Sequence, residues 1–324
     1  MQIPSAELIQ KYDRPGPRYT SYPTAPEWTD AFKAAQYEQH LARADRETGP
    51  LSVYVHLPFC REMCRFCGCN VIATHDRSRV DQYLDVLEKE VALVAGRLKD
   101  RRAVSQLHWG GGTPTFLDEK QLVRCHDLLA RHFTFTPDVE KAIEINPAIT
   151  RRSQIEVLAK LGFNRISMGV QDFDAKVQEV VGRIQGEKET SELVQAARDN
   201  GFKGVNLDLI YGLPYQTPET WQRTLERIVA IHPDRMAVFG FAYVPWSKPH
   251  QRLLPQRRCR RPSSAWSCSS GRSRRSRRPA IGSSASTTSP SSRTSSPSRR
   301  PAAICTGTSR GTRSVRPTTP SRSG

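Results

Sequence analysis

Residues 54–70 read YVHLPFCREMCRFCGCN, where an alternating segment that starts at Leu51 (LSVYVHL) runs straight into four cysteines. Cys60, Cys64, Cys67 and Cys69 fall within ten positions. Structural zinc usually takes two separated Cys-x-x-Cys pairs. The pattern here, Cys-x-x-x-Cys-x-x-Cys-x-Cys, is too compact for two such knuckles. Three thiols at the first two spacings suit a cubane [4Fe–4S] cluster whose fourth iron stays open, whereas a four-cysteine electron carrier closes every iron. An open iron can chelate the amine and carboxylate of an amino acid. Cys69 is then the odd thiol, not a ligand. The first residues, MQIPSAELIQKYDRPGPRY, lack the basic start and apolar run of a secretory signal. A cytoplasmic, reducing compartment is the expectation, and there clustered cysteines favour metal or redox chemistry over disulfides.

Downstream, short apolar runs alternate with longer amphipathic ones. Strands are expected at LSVYVHL, VSQLHW (from Val104), AIEINP (from Ala142), RISMGV (from Arg165), VNLDLIYG (from Val205) and RMAVFGFAYV (from Arg235). Helical periodicity marks residues 80–98, 119–133, 152–162 and 218–231. Six β/α repeats imply an α/β fold with a parallel sheet, because parallel strands need helical crossovers. An open, partial (β/α)6 barrel and a doubly wound sheet both fit the repeat. In either, ligands gather at the C-terminal ends of the strands.

Those ends carry the unusual residues. The second strand runs into HWGGGTPT (His108–Thr115), whose glycines let backbone approach a ligand or make a tight turn. Glu144 ends the third, as an acceptor for a ligand amine or ribose, or as a helix-entry carboxylate before Asn146. Gln171 follows the fourth and Asp208 lies in the fifth, while the sixth leads into FAYVPW. Arg183 is either a surface charge or the partner of a carboxylate. His108 and His126 are taken as structural.

Together, YVHLPFCREMCRFCGCN, GGGTPT, EINP, MGVQDF and NLDLIYGLP look like the radical S-adenosylmethionine family. Within it, they and the N-terminal KYDRPGPRYTSYPTAP resemble the oxygen-independent coproporphyrinogen III oxidases, over roughly Ala6 to Pro255. The resemblance implies that Cys60, Cys64 and Cys67 hold the cluster and that one S-adenosylmethionine chelates its open iron. It implies a 5′-deoxyadenosyl radical that takes a hydrogen from a propionate of coproporphyrinogen III. Carbon dioxide then leaves, and two such rounds give protoporphyrinogen IX in anaerobic haem biosynthesis. A second S-adenosylmethionine binds nearby. The positions matching the two sites are Tyr54, Phe66, Gly111, Gly112, Thr113, Glu144, Gln171, Arg183, Asp208 and Ala242. No catalytic side chain is singled out. A low-potential donor such as a flavodoxin or ferredoxin system, and a monomeric state, complete the expectation.

The formal charge of +17 raises nucleic acid as a partner, but sixteen arginines and no acid lie in residues 256–324, leaving the body near neutral. That tail is almost entirely Arg, Ser, Pro, Thr and Ala, a composition expected to be disordered. Shifted by two nucleotides, the codons permitted for Ser286–Ser298 spell DHFALVEDELAV, an ordinary globular sequence, so the tail is read as out of frame. Four regions result: 1–50, an N-terminal segment covering the active site; 51–246, the partial barrel; 247–255, the start of a C-terminal domain; and 256–324, the low-complexity tail that replaces that domain. Turnover by the chain as written is expected to be impaired. The rival function is a haem-binding chaperone of the same fold, though such relatives generally lack the RPGPRYTSYP segment and the fourth cysteine. No nucleic-acid role and no membrane span are expected.

Overall fold

The computed structural model describes residues 5–12, 27, 29–255 and 303–306. Two helices, α1 (Ala6–Tyr12) and α2 (Ala34–Asp45), precede the sheet. The main strands are β1 (Leu51–Leu57), β4 (Ala103–Gly111), β5 (Thr134–Ile145), β6 (Arg165–Gln171), β7 (Gly204–Tyr211) and β8 (Arg235–Gly240). Two-residue strands β2 (Phe59–Cys60) and β3 (Ile72–Ala73) pair inside the cysteine loop. The connecting helices are α3 (Ser78–Arg97), α4 (Glu119–Ala130), α5 (Arg152–Lys160), α6 (Ala175–Val181), α7 (Glu187–Asp199) and α8 (Pro218–Ile231).

All pairings are parallel, and the sheet order is β8-β7-β6-β5-β4-β1-β9, with β9 (Ala303–Thr306) beside β1. From β1 to β8 the order never reverses. Right-handed crossovers in one direction put every helix on the same face of the sheet, so the doubly wound alternative is excluded and the partial barrel stands. The side chains agree. Along β1, β6 and β7, one face is buried and apolar: Leu51, Val53, Val55 and Leu57; Ile166, Met168 and Val170; Val205, Leu207 and Leu209. That face joins one core with Leu84, Leu87 and Val91 of α3 and with Leu193 and Ile228 of α7 and α8. The opposite face carries Tyr54, His56, His108, Glu144, Ser167, Asn206 and Asp208, all half-buried. A parallel sheet covered on both faces reads as continuous apolar runs. Here the period-two alternation leaves a polar, concave inner wall.

Several boundaries differ from the sequence expectation. β5 begins at Thr134 rather than Ala142, because Thr134 and Phe135 pair with Ala103 and Val104 before residues 136–139 bulge out at Pro137. β8 stops at Gly240, where its pairing with Tyr211 ends, so Ala242 lies in a loop. Of the expected N-terminal cover, residues 1–4, 13–26 and 28 lie outside the described residues, as does the tail apart from β9. Helix α2 is fixed far from the strand C-termini. Asp45 accepts the N–H groups of Asp100 and Arg101 at 3.0 and 3.1 Å, just before β4 begins.

Arg101 makes that anchorage. Its buried guanidinium donates to the carbonyls of Gly49, Ala44 and Pro50 at 2.8, 3.0 and 3.3 Å, with Glu47 at 3.4 Å. Removing it returns those carbonyls, on exposed Gly49 and half-buried Ala44 and Pro50, to water, at about 0.5–1.5 kcal/mol net for each hydrogen bond lost. Arg101→Ala is therefore expected to lower Tm by about 5–10 °C, given roughly 2–4 °C per kcal/mol in a chain this long. Arg101→Lys should recover only part of it, since one ammonium cannot span three carbonyls. Differential scanning calorimetry checks both.

Candidate functional site

The cysteine loop leaves the C-terminal end of β1 and is laid on the glycine turn that ends β4. Gly112 N–H donates to the Leu57 carbonyl at 2.9 Å, and Thr113 N–H donates to the Phe59 carbonyl at 2.8 Å. The approach is close enough to require glycine. A Cβ on Gly112 would sit 2.7 Å from the carbonyl oxygens of both Pro58 and Phe59. At Gly111, φ is +116° and a Cβ would meet the His56 ring at 2.7 Å. The loop is closed on itself by Ile72 N–H to the Pro58 carbonyl (2.7 Å) and Thr74 N–H to the Cys60 carbonyl (2.9 Å).

Each of the three cysteines has a different partner. Cys60 Sγ lies 3.5 Å from the Thr113 hydroxyl. Arg183 Nη1 donates to Cys64 Sγ at 3.6 Å. Cys67 Sγ accepts the Cys69 N–H at 3.4 Å. Burial pushes the Cys60 and Cys64 thiols up, offset in part by Thr113 and Arg183 respectively. The Cys69 side chain bonded to Cys67 instead draws the Cys67 thiol down to about 6, and Cys69 is raised in return. All four are free thiols, with Cys69 exposed. Among the described residues no three His, Cys, Asp or Glu donors close on a single-ion position. Soft donors spread around a loop, each beside a cation, hydroxyl or N–H, fit a cluster that offers one iron per thiolate better than four ligands on one zinc.

Glu144 stands opposite, on β5. Its carboxylate accepts the Gly111 N–H at 3.2 Å and meets His108 Nε2 at 3.2 Å. It therefore is not a helix-entry carboxylate. Burial opposes its charge, yet His108 and the Gly111 N–H prevail and hold it below the usual carboxylate range. His108, expected to be merely structural, belongs to this wall: its ring stacks on Tyr54, whose hydroxyl lies 3.1 Å from His56 Nδ1. His126 is remote, bonded to Lys141 Nζ in the helix layer. Asp208 accepts from Ser167 Oγ at 2.8 Å and Asn206 Nδ2 at 2.7 Å. Burial pushes its carboxyl up, and the Glu144 charge adds to the shift.

Arg183 corrects the expectation of a surface charge or a carboxylate pair. Besides Cys64 it reaches the Gly169 carbonyl at 3.0 Å and Gln185 Oε1 at 3.2 Å. Gln171, at φ 69°, follows a register shift between β6 and β7. Its amide and Arg183 both crowd Gly169, so these two positions meet. Phe66 and Ala242 are brought together by one residue the sequence did not flag, Gln251, whose Nε2 donates to both carbonyls. Asp172 was also missed. It is buried behind β6 and accepts from Gln216, Thr224 Oγ1 (2.7 Å) and Asp174 N–H (2.8 Å). Its place in MGVQDF, one residue after Gln171, was the only available signal.

A profile of the Radical SAM superfamily matches residues 54–228. The oxygen-independent coproporphyrinogen III oxidase of Salmonella typhimurium strain LT2 is 50% identical over 247 residues, 76% of this chain and 53% of that protein. The protein of the same name from Synechocystis is 44% identical over 252 residues, 78% of this chain and 54% of its own. Among solved structures, coproporphyrinogen III oxidase from Escherichia coli, described as a radical SAM enzyme, superposes with a TM-score of 0.78 at 42% identity. That match covers 84% of this chain and 61% of the other. The chain thus spans about half the length of the curated relatives it matches.

Glu144 is held ionised in the fold, so it contributes stability above its unfolded pKa of about 4.3 that is lost as pH falls through its folded value. Glu144→Gln is expected to reduce the acid-side loss of stability below about pH 4.3. Urea midpoints measured from pH 3 to 7 read this directly.

Proposed function

The chain belongs to the radical SAM superfamily, and on that premise we propose that it forms the cofactor-binding core of an oxygen-independent coproporphyrinogen III oxidase. The superfamily uses S-adenosylmethionine and a [4Fe–4S] cluster in general. The finer assignment is ours: Cys60, Cys64 and Cys67 hold the cluster, and Cys69 does not ligate it. The observation that carries it is the seating of the three-cysteine loop on the Gly110–Gly112 turn, at the mouth of a polar concave wall. When bound, the cluster with S-adenosylmethionine supplies one-electron reduction and hydrogen-atom abstraction.

The chain's own residues bind and orient. Gly111 and Gly112 keep the turn free of Cβ atoms, so backbone faces the bound molecule. Glu144, ionised and already accepting from Gly111, is placed to accept from a ligand amine, and Asp208 from a ribose hydroxyl. Tyr54, Phe66, Thr113, Gln171, Arg183 and Ala242 complete the assignment to two S-adenosylmethionine molecules. The Arg183 guanidinium beside Cys64 offsets thiolate charge. The substrate is coproporphyrinogen III, two of whose propionates lose carbon dioxide to give protoporphyrinogen IX; a low-potential flavodoxin or ferredoxin system supplies electrons. Among the described residues no helix is long and apolar enough to cross a membrane.

Because residues 256–324 read as an out-of-frame tail in place of ordinary globular sequence, little complete turnover is proposed for the chain as written. Anaerobic reconstitution of the full chain should yield a 4Fe cluster that Cys60→Ala, Cys64→Ala and Cys67→Ala each lose and Cys69→Ala keeps. Iron analysis and absorption near 400 nm would show this. The reading fails if Cys69→Ala loses the cluster while one of the other three retains it. Haem binding without cleavage of S-adenosylmethionine would favour the chaperone. A chain with residues 256–324 returned to the shifted frame should gain decarboxylation, and its failure to do so would sink the expected impairment.

A further inference from the structure

Gln251 is the buried residue of the 3-10 turn Pro249–Leu253, which follows β8 and lies over the cysteine loop. Its amide is fully committed. Nε2 donates to the Phe66 carbonyl at 3.0 Å and the Ala242 carbonyl at 3.2 Å, while Oε1 accepts the Val244 N–H at 2.6 Å. Two carbonyls and one N–H leave no freedom in how the amide faces. One side chain thus ties the cysteine loop to the segment after β8 and to its own turn. Flanking contacts run parallel: His250 Nε2 meets the Cys67 carbonyl at 2.8 Å, and Lys248 Nζ donates to the Cys69 carbonyl at 3.0 Å. These two are at least partly exposed, so water can replace them; Gln251 is 1% exposed.

We propose that Gln251 is a positioning residue for S-adenosylmethionine, acting by fixing the gap between Phe66 on the cysteine loop and Ala242 after β8. The inference rests on the function proposed above, in which both positions line that pocket. A carboxylate of the same shape accepts from Val244 but offers nothing to two carbonyls, and its charge repels them. The gap then widens on the pocket side, while Cys60, Cys64 and Cys67 keep their separate supports in Thr113, Arg183 and the Cys69 N–H.

The test reconstitutes the full-length chain, Gln251→Glu and Gln251→Asn anaerobically, counts iron, and titrates each with S-adenosylmethionine by calorimetry. Gln251→Glu is expected to bind at least tenfold more weakly with iron per chain unchanged. Gln251→Asn keeps the donors but falls one methylene short, and should weaken binding several-fold; it decides the matter if the first variant does not fold. A variant with full iron and wild-type affinity overturns the proposal. So does joint loss of iron and affinity in both, which would make Gln251 a support of the whole loop. A wild-type chain that takes up no iron would overturn the functional reading instead.

Discussion

Two backbone hydrogen bonds, Gly112 N–H to Leu57 and Thr113 N–H to Phe59, hold the cysteine loop on the end of β4. Among the described residues, Cys60 and Glu144 are both held from that seam. It forms only because Gly112 has no Cβ to strike the Pro58 and Phe59 carbonyls. It also places Thr113 beside Cys60 and points the Gly111 N–H at Glu144. Strand register does the rest, since Tyr54 lies opposite His108 between β1 and β4 and Glu144 opposite Ser167 between β5 and β6. The wall is therefore a row of neighbours set by backbone pairing, not a set of independent placements.

The sheet divides two tasks between its faces. The helix-side face, with Val55, Leu107, Ile143, Met168 and Leu207 fully buried, supplies the cohesion. The inner face carries half-buried polar groups, whose desolvation is a cost that paired side chains and N–H donors offset. Opposite outcomes for its two carboxylates follow from that balance. Glu144 gains a histidine and a backbone donor and stays ionised below the usual range. Asp208, supported by a hydroxyl and an amide and facing Glu144, is raised. Perturbed carboxylates of this kind cluster at functional sites.

The alternation within LSVYVHL, RISMGV and VNLDLI made the strands legible, and the polar residues read at their ends share one face or edge of the sheet with the cysteine loop. Composition could not choose between the partial barrel and a doubly wound sheet; that needed the strand order. The two-residue strands β2 and β3 escaped notice because they are too short for any period to show. Arg183 was visible but misjudged, since its partners, a sulfur and a carbonyl, lie about 120 and 14 residues away. Gln251 carried no signal, and Asp172 only its place in MGVQDF. A buried amide bridging two loops looks, in sequence, like any surface glutamine. The N-terminal cover and the tail remain expectations of the sequence, apart from Ala303–Thr306 beside β1.

The proposed function requires that three cysteines of this loop hold a cluster and leave one iron open to an amino-acid ligand. Electron paramagnetic resonance of the reduced, anaerobically reconstituted chain, recorded with and without S-adenosylmethionine, tests it most directly. A [4Fe–4S]+ signal whose g-values shift on adding S-adenosylmethionine is expected. A cluster signal that S-adenosylmethionine leaves unchanged would contradict it.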